Sequence, residues 1–250
     1  MTGSFRIEDS SISHVGHVRS ENEDCHASLA GAGVWVVADG MGGHHNGRFA
    51  SQAIADSVES AESSDDLDAA CHAVAGAIHQ ANATIFAKSL EVGKQMGSTV
   101  VALILRHADF VVLWAGDSRA YLYRDGQLIQ LTRDHTQVEA LLERGLLTPE
   151  EVVDHPMKHV LARAVGVQET LEIDAIRDHI ESRDIFLLCS DGLHGVLDDH
   201  EIAAILAEQG HGAGEALIAT CLDRGAPDNV TVTLVTANEP TLLALNGAII

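Results

Sequence analysis

Val34-Trp35-Val36-Val37-Ala38-Asp39-Gly40-Met41-Gly42-Gly43-His44-His45-Asn46-Gly47 is the stretch whose reading decides the fold. An apolar run bounded by turn residues reads as a buried strand, and this one ends on a carboxylate followed at once by a glycine-rich turn. A charge placed where a buried strand meets a loop costs desolvation energy unless a cation or hydrogen-bond donors meet it. Asp39 is therefore either a satisfied turn residue or a ligand, and the rest of the chain has to decide.

Working outward, the 250 residues with 46% hydrophobic content suffice for one large core, and no linker composition divides them. A single domain over residues 1–240 is expected, followed by a short apolar tail at 241–250 that reads as an edge strand or a loosely attached end. Lysine and arginine number 15 against 37 aspartates and glutamates, a formal charge of -22. That balance argues against nucleic acid or an anionic membrane as partner, so any phosphorylated substrate must be attracted locally. Cys25, Cys71, Cys189 and Cys221 are scattered without a Cys-x-x-Cys pair, which suits thiols of a reducing compartment. With no apolar leader at the start and no run long enough to span a bilayer, a soluble cytoplasmic protein is expected.

Residues 11–18 carry a weak alternation that reads as a strand leading into the charged segment Arg19-Ser20-Glu21-Asn22-Glu23-Asp24. After the opening strand and its turn, Phe49, Ala53, Ile54 and Val58 follow helical spacing. Leu67, Cys71, Val74, Ile78, Ala81 and Ile85 continue it over a longer second helix, with Glu62 to Asp66 as a capping loop. The period then changes. Thr99 to Leu105, Phe110 to Ala115 and Ala120 to Tyr123 read as consecutive antiparallel strands, and Leu128 to Leu131 pairs with the last across Asp125-Gly126. Residues 136–165, with helical patches near Val138 and Thr148, read as an inserted surface flap. Strands at 171–176 and 185–190, helices at 201–208 and 214–223, and a final half-buried strand at Val230 to Val235 complete the pattern.

Three strand-like runs end on a carboxylate beside a small residue, at Asp39-Gly40, Asp117-Ser118 and Asp191-Gly192, and a fourth begins on one at Asp228-Asn229. In antiparallel sheets the start of one strand lies beside the end of its neighbour, so these carboxylates can share one rim of the fold. Taken alone, each is more commonly a turn residue. Together they do not fit that explanation, because a turn does not require every major strand to carry an aspartate. Like charges a few ångströms apart need compensation, and oxygen-only clusters are matched by magnesium or manganese.

At this point a family resemblance appears. Arg19-x-x-Asn22-Glu23-Asp24, Asp39-Gly40-Met41-Gly42-Gly43, Met96-Gly97-Ser98-Thr99, Gly116-Asp117-Ser118-Arg119, Leu131-Thr132-Arg133-Asp134-His135, Ser190-Asp191-Gly192-Leu193 and Asp228-Asn229-Val230-Thr231 form an ordered series. The series resembles the motifs of the metal-dependent PP2C-type (PPM) serine/threonine protein phosphatases, nearest their bacterial branch, and runs from about residue 16 to 233. The resemblance implies an α+β, four-layer αββα sandwich of two antiparallel sheets flanked by helix pairs, with metals in a cleft at one end. It implies that Asp39 bridges two divalent cations, Mn2+ or Mg2+, and that Asp191 and Asp228 ligate one of them. The Gly40 carbonyl, with Glu23 behind it, serves the other. Asp117 with Asp191 resembles the pair that holds a third, weaker metal, and Arg19 matches the arginine that grips the substrate phosphate through two parallel donors. Two dications roughly 3.5 to 4 Å apart would activate a water for direct in-line attack, so no nucleophilic side chain is needed. The implied partners are phosphorylated proteins and the serine/threonine kinase that makes them, with the phosphatase acting as a monomer.

Some residues depart from the pattern or stay open. Met41 stands where the eukaryotic branch has a histidine proposed to protonate the leaving alcohol, which leaves a water on the metal or His44 as the donor. Arg48 stands where bacterial relatives usually carry glutamate. Asn229 either orients the Asp228 carboxylate or serves the turn. Arg163 and His159 of the flap either contact substrate or belong to a helix face packed on the sheet. As a dinucleotide fingerprint the opening stretch lacks its third glycine, and no second strand with a terminal acid follows. The remaining alternative is a phosphatase-like sensor or binding module with weak turnover.

Overall fold

The computed structural model describes residues 5–43, 45–153 and 155–240. His44 and the tail 241–250 lie outside the described residues.

Among the described residues eleven strands build two antiparallel sheets. The first takes β1 (Arg6–His14), β11 (Val230–Asn238), β10 (Asp184–Cys189), β7 (Arg119–Arg124) and β8 (Gln127–Gln130) in that spatial order. The second runs β2 (Asp24–Leu29), β3 (Val34–Met41), β5 (Val100–Arg106), β6 (Asp109–Ala115) and β9 (Asp174–His179), with the two-residue β4 (Gly97–Ser98) pairing the end of β3. Helices α1 (His45–Glu59) and α2 (Leu67–Val92) cover the second sheet. Helices α6 (Asp199–Gln209) and α7 (Ala213–Asp223) cover the first, and a single turn, α5 (Asp191–His194), follows β10. The flap carries α3 (Gln137–Glu143) and α4 (Pro149–Val153). The architecture is the four-layer αββα sandwich implied by the motif series.

Strand periodicity explains the layering, because successive side chains point to opposite faces. In β3, Trp35 and Val37 enter the layer between the sheets, while Val34, Val36 and Ala38 face α1 and α2. Burial on both faces is why this run reads as continuous apolar sequence. Phe110 and Phe186 meet edge to face across the sheets, with ring centroids 4.9 Å apart. Asp66 caps α2 by accepting from the Ala69 N–H at 2.8 Å, as the preceding acidic loop predicts. The hairpin between β7 and β8 closes on Asp125 and Gly126, both at positive φ (51° and 79°). Those angles match the sequence signal for a two-residue turn.

Several expectations change in detail. The first strand starts five residues before the predicted position, and β2 was not predicted; both are short of apolar side chains because they lie at sheet edges. Phe49 is exposed and Ala53 only half-buried, since α1 turns Ala50, Ile54 and Val58 inward instead. β6 and β7 are consecutive in sequence but not paired: the chain crosses from one sheet to the other at Gly116-Asp117-Ser118. β11 is buried along its length apart from Asn238, not half-buried, because it is flanked by β1 and β10 and covered on both faces. Its threonines stay satisfied there, with Thr233 bonded to Ser11 at 2.9 Å and Thr231 to Ser13 at 2.7 Å.

Phe186→Ala removes one ring of the aromatic contact between the sheets and leaves a cavity. Urea unfolding should show a loss of about 3–5 kcal/mol.

Candidate active site

All the carboxylates singled out in the sequence reach one cleft. Asp39, Asp117, Asp191 and Asp228, with Glu23, Gly40 and Arg19, line a cavity of about 1170 Å³ at one end of the sandwich.

Each is held by neighbours the fold supplies. The Asp39 peptide is gripped from both sides by Thr99, whose Oγ1 accepts the Asp39 N–H at 3.0 Å and whose own N–H donates to the Asp39 carbonyl at 2.9 Å. Thr99 Oγ1 also meets the Ser118 hydroxyl at 2.6 Å, joining the end of β3 to the crossover that carries Asp117. In that crossover Gly116 sits at φ 114°, and a Cβ there would lie 2.6 Å from Thr99 Cβ, so only glycine fits. The motif Leu131 to His135 holds the same loop: Gly116 N–H donates to His135 Nδ1 at 3.1 Å, and Arg119 forks onto Asp134 at 2.8 and 2.9 Å. His194, one turn after Asp191, donates from Nε2 to the Asp117 carbonyl at 3.1 Å.

Asn229 corrects one expectation. Its backbone N–H, not its side chain, meets Asp228 Oδ1 at 2.8 Å. The amide instead donates to the Val15 and Glu21 carbonyls at 2.8 and 3.0 Å and accepts the Glu23 N–H at 2.8 Å. It ties the segment carrying Arg19 and Glu23 to the start of β11. Arg48 has a similar task, donating to the Asn22 carbonyl at 2.9 Å. Arg163 bonds Asp174 at 2.6 Å and His135 at 3.2 Å, which anchors the foot of the flap, and residues 155–163 form turns, not the expected helix face. His159 is exposed and lines the cleft.

Electrostatically the cleft is strained. Burial, followed by the charges of Asp24, Asp191, Asp117 and Asp228, pushes the Asp39 carboxyl well above the usual range. Burial first and Asp228 second push Asp191 up as well. Asp117, 7% exposed, is raised to about 7 by burial and by Asp191. Behind them lies Asp24, 5% exposed and paired in register with Asp39 across β2 and β3. Burial lifts it to about 6 although Ser190 and Thr231 both donate to its Oδ2, at 2.8 and 2.7 Å. Its Oδ1 is buried with no hydrogen-bond partner. Arg19 brings a positive charge into direct contact with this set, at 2.6 Å from Asp228.

Glu23 and Gly40 meet at a cradle that the sequence did not reveal. A Cβ on Gly47 would overlap Glu23 Oε2 and lie 2.8 Å from the Gly40 carbonyl oxygen, so the two oxygens flank one point over the start of α1. A Cβ on Gly40 would in turn sit 2.7 Å from the Glu23 carbonyl oxygen. Gly47, Asp24, Thr99 and His194 were not assigned roles from sequence. All four stand inside or beside quoted stretches, and that placement was the available signal.

The comparisons with known proteins agree with this geometry. The family model for protein phosphatase 2C matches residues 8–144. PstP, a serine/threonine protein phosphatase of Mycobacterium tuberculosis, is 37% identical over 87% of this chain, which spans 42% of its length. The serine/threonine phosphatase stp of Listeria welshimeri is 33% identical over 89% of the chain and 93% of its own length. Among solved structures, PppA of Pseudomonas aeruginosa superposes with a TM-score of 0.86 at 40% identity, covering 94% of this chain and 99% of that one. The catalytic domain of PstP, solved with two manganese ions, gives 0.82 at 33% identity over 94% of this chain and 100% of its own. The chain belongs to the protein phosphatase 2C family of metal-dependent serine/threonine protein phosphatases, in company with bacterial members.

Proposed function

We propose that this chain hydrolyses phosphoserine and phosphothreonine on proteins, with two Mn2+ or Mg2+ ions held by Asp39, Asp191, Asp228, the Gly40 carbonyl and Glu23. The observation that carries the proposal is the concentration of carboxylates in one cleft. An all-oxygen donor set in which Asp39 and Asp191 are raised by burial and by neighbouring carboxylates fits a hard dication. The oxygens of Glu23 and Gly40 converging over Gly47 are suited to the same ion class. When bound, such a pair of metals supplies an activated water and neutralises charge on the phosphoryl oxygens.

The protein's own residues supply the rest. Arg19, half-exposed at the cleft mouth, offers a planar fork of donors to two phosphoryl oxygens. Asn229 fixes the segment that carries it, and Thr99 fixes Asp39 against the crossover bearing Asp117, so the groups are preorganised relative to one another. Asp117 pairs with Asp191 for a third, weaker metal. The partners on this reading are phosphorylated proteins and the kinase acting on them, and the chain works as a monomer. Among the described residues no helix is long and apolar enough to cross a membrane. Four free cysteines support a reducing, cytoplasmic setting. A binding module without turnover is disfavoured because each carboxylate of the expected set is present in the cleft.

The direct test is manganese-dependent phosphate release from a phosphothreonine peptide. Asp39→Asn should lower kcat/KM about a thousandfold, since it removes the carboxylate shared by both metals, and Asp117→Asn should cost less. Wild-type turnover by Asp39→Asn defeats the assignment, and peptide binding without turnover by the wild type favours the module.

Metal and protons should also compete in stability measurements. Asp24 and Asp117 are raised to about 6 and 7 when folded, whereas unfolded carboxylates titrate near about 4. Between those limits the folded chain binds more protons than the unfolded one, so without metal stability falls as pH rises. In chelator, Tm should decrease from pH 5 to 8, and manganese should raise it most at pH 8. A flat profile in chelator speaks against the buried carboxylate cluster. Gly47→Ala, by displacing Glu23, should weaken manganese binding at least about tenfold in calorimetry, with the helical circular dichroism retained.

A further inference from the structure

The cleft is larger than a phosphoryl group requires, and its two ends differ in chemistry. Beyond Asp39 and Gly40, β3 continues to Met41 and pairs with β4 at Gly97. On the other side Ser98 and Val165 exchange backbone hydrogen bonds at 3.0 and 2.8 Å. These three short segments form a flat patch beside the metal end. Its middle residue has no side chain, and the neighbours fill the space: a Cβ on Gly97 would lie 2.8 Å from Val167 Cγ2 and 2.9 Å from Met41 Cε. Met41 and Val167 therefore meet over Gly97 as an apolar floor, and Met96, Leu161 and Leu171 line the same cleft.

The charged side chains of this arm are ion-paired. The charged side chains that line it, Arg163 and Glu172, bond each other at 3.4 Å, and Arg163 is further held by Asp174. The wall is also firmly placed: Asn82 of α2 accepts the Gly166 N–H at 2.7 Å and donates to the Gln168 and Glu169 carbonyls at 3.0 and 3.1 Å. A buried amide with all these partners fixes the segment bearing Val167 to the core, unlike the turns of the flap above it.

Because the arm opens into the phosphoryl site as one cavity, its occupant is the chain on either side of the phosphorylated residue. Resting on the phosphatase reading above, we propose that the floor made by Met41 and Val167 seats an apolar side chain two positions from the phosphoresidue and selects such sequences over polar ones. Met41 follows Asp39 by two residues of strand, about 6.6 Å, and an extended substrate covers the same distance in two residues whose side chains share a face.

Two phosphothreonine peptides, with leucine or with serine at both positions two residues from the phosphothreonine, test this with the manganese-loaded enzyme. The leucine peptide should show kcat/KM on the order of tenfold higher, the discrimination that a small apolar pocket supports. In Val167→Asp the ratio should fall to about one, and because both substrates are read on one protein the ratio is insensitive to the fraction folded. Equal values for two hydrolysed peptides in the wild type, or an unchanged ratio in the variant, overturn the assignment and leave the phosphatase reading intact. Hydrolysis of neither peptide by the wild type overturns that reading and the arm with it.

Discussion

Repulsion among buried carboxylates is the constraint that the rest of the molecule accommodates. Asp24, Asp39, Asp117 and Asp191 are all pushed above ordinary carboxylate values, with burial the largest cause in each case. Among the described residues no lysine or arginine pairs with these four, and Arg19 pairs with Asp228 at the mouth. Neutral donors hold the backbone and side chains in place instead. The hydroxyls of Ser190 and Thr231 donate to Asp24, and the Thr99 N–H donates to the Asp39 carbonyl, which orients the cluster without cancelling its charge. Such an arrangement leaves the field available for a dication, which on the proposed reading would let a chain of net charge -22 act on a negatively charged group.

The sandwich is built to keep these residues at one end. Between the sheets the layer is apolar through Trp35, Phe110 and Phe186, and gives way to hydroxyls and a carboxylate near the cleft, with Ser11, Ser13, Thr231, Thr233 and Asp24 bonded to one another. Asp24 has a structural position as well as an electrostatic one. Coming from β2 of one sheet, it receives hydrogen bonds from residues beside β10 and on β11 of the other, next to Asp191 and Asp228. The motif around Asp134 and His135 carries no chemistry of its own. It holds the crossover that places Asp117, through Arg119 and the Gly116 N–H.

Much of the architecture was legible in sequence because its elements have strong periods. The twofold burial of β3, β5 and β6, the long apolar face of α2 and the Asp125-Gly126 hairpin all follow from local patterns. Edge strand β2 did not, and β1 showed only as a weak alternation over part of its length, since a strand with one partner and a solvent face needs few apolar residues. Sheet membership was also hidden. The runs ending at Ala115 and starting at Ala120 read as a hairpin, yet Gly116 to Ser118 carries the chain between sheets, and a short loop looks the same in either case.

The sequence alone determined which carboxylates gather in one cleft, because strand-terminal aspartates beside small residues mark positions where a charge is presented at a rim. It also determined the family, through motifs whose order spans most of the chain. Only the tertiary structure decided what supports them. Asn229 turns its amide toward Val15 and Glu21 and not toward Asp228, Gly47 makes room for Glu23, and Met41 meets Val167 across a bare glycine. These relations join residues far apart in the chain or depend on space left by a missing side chain. Local sequence encodes periodicity and turn chemistry, whereas such distances are set only when separate segments pack together.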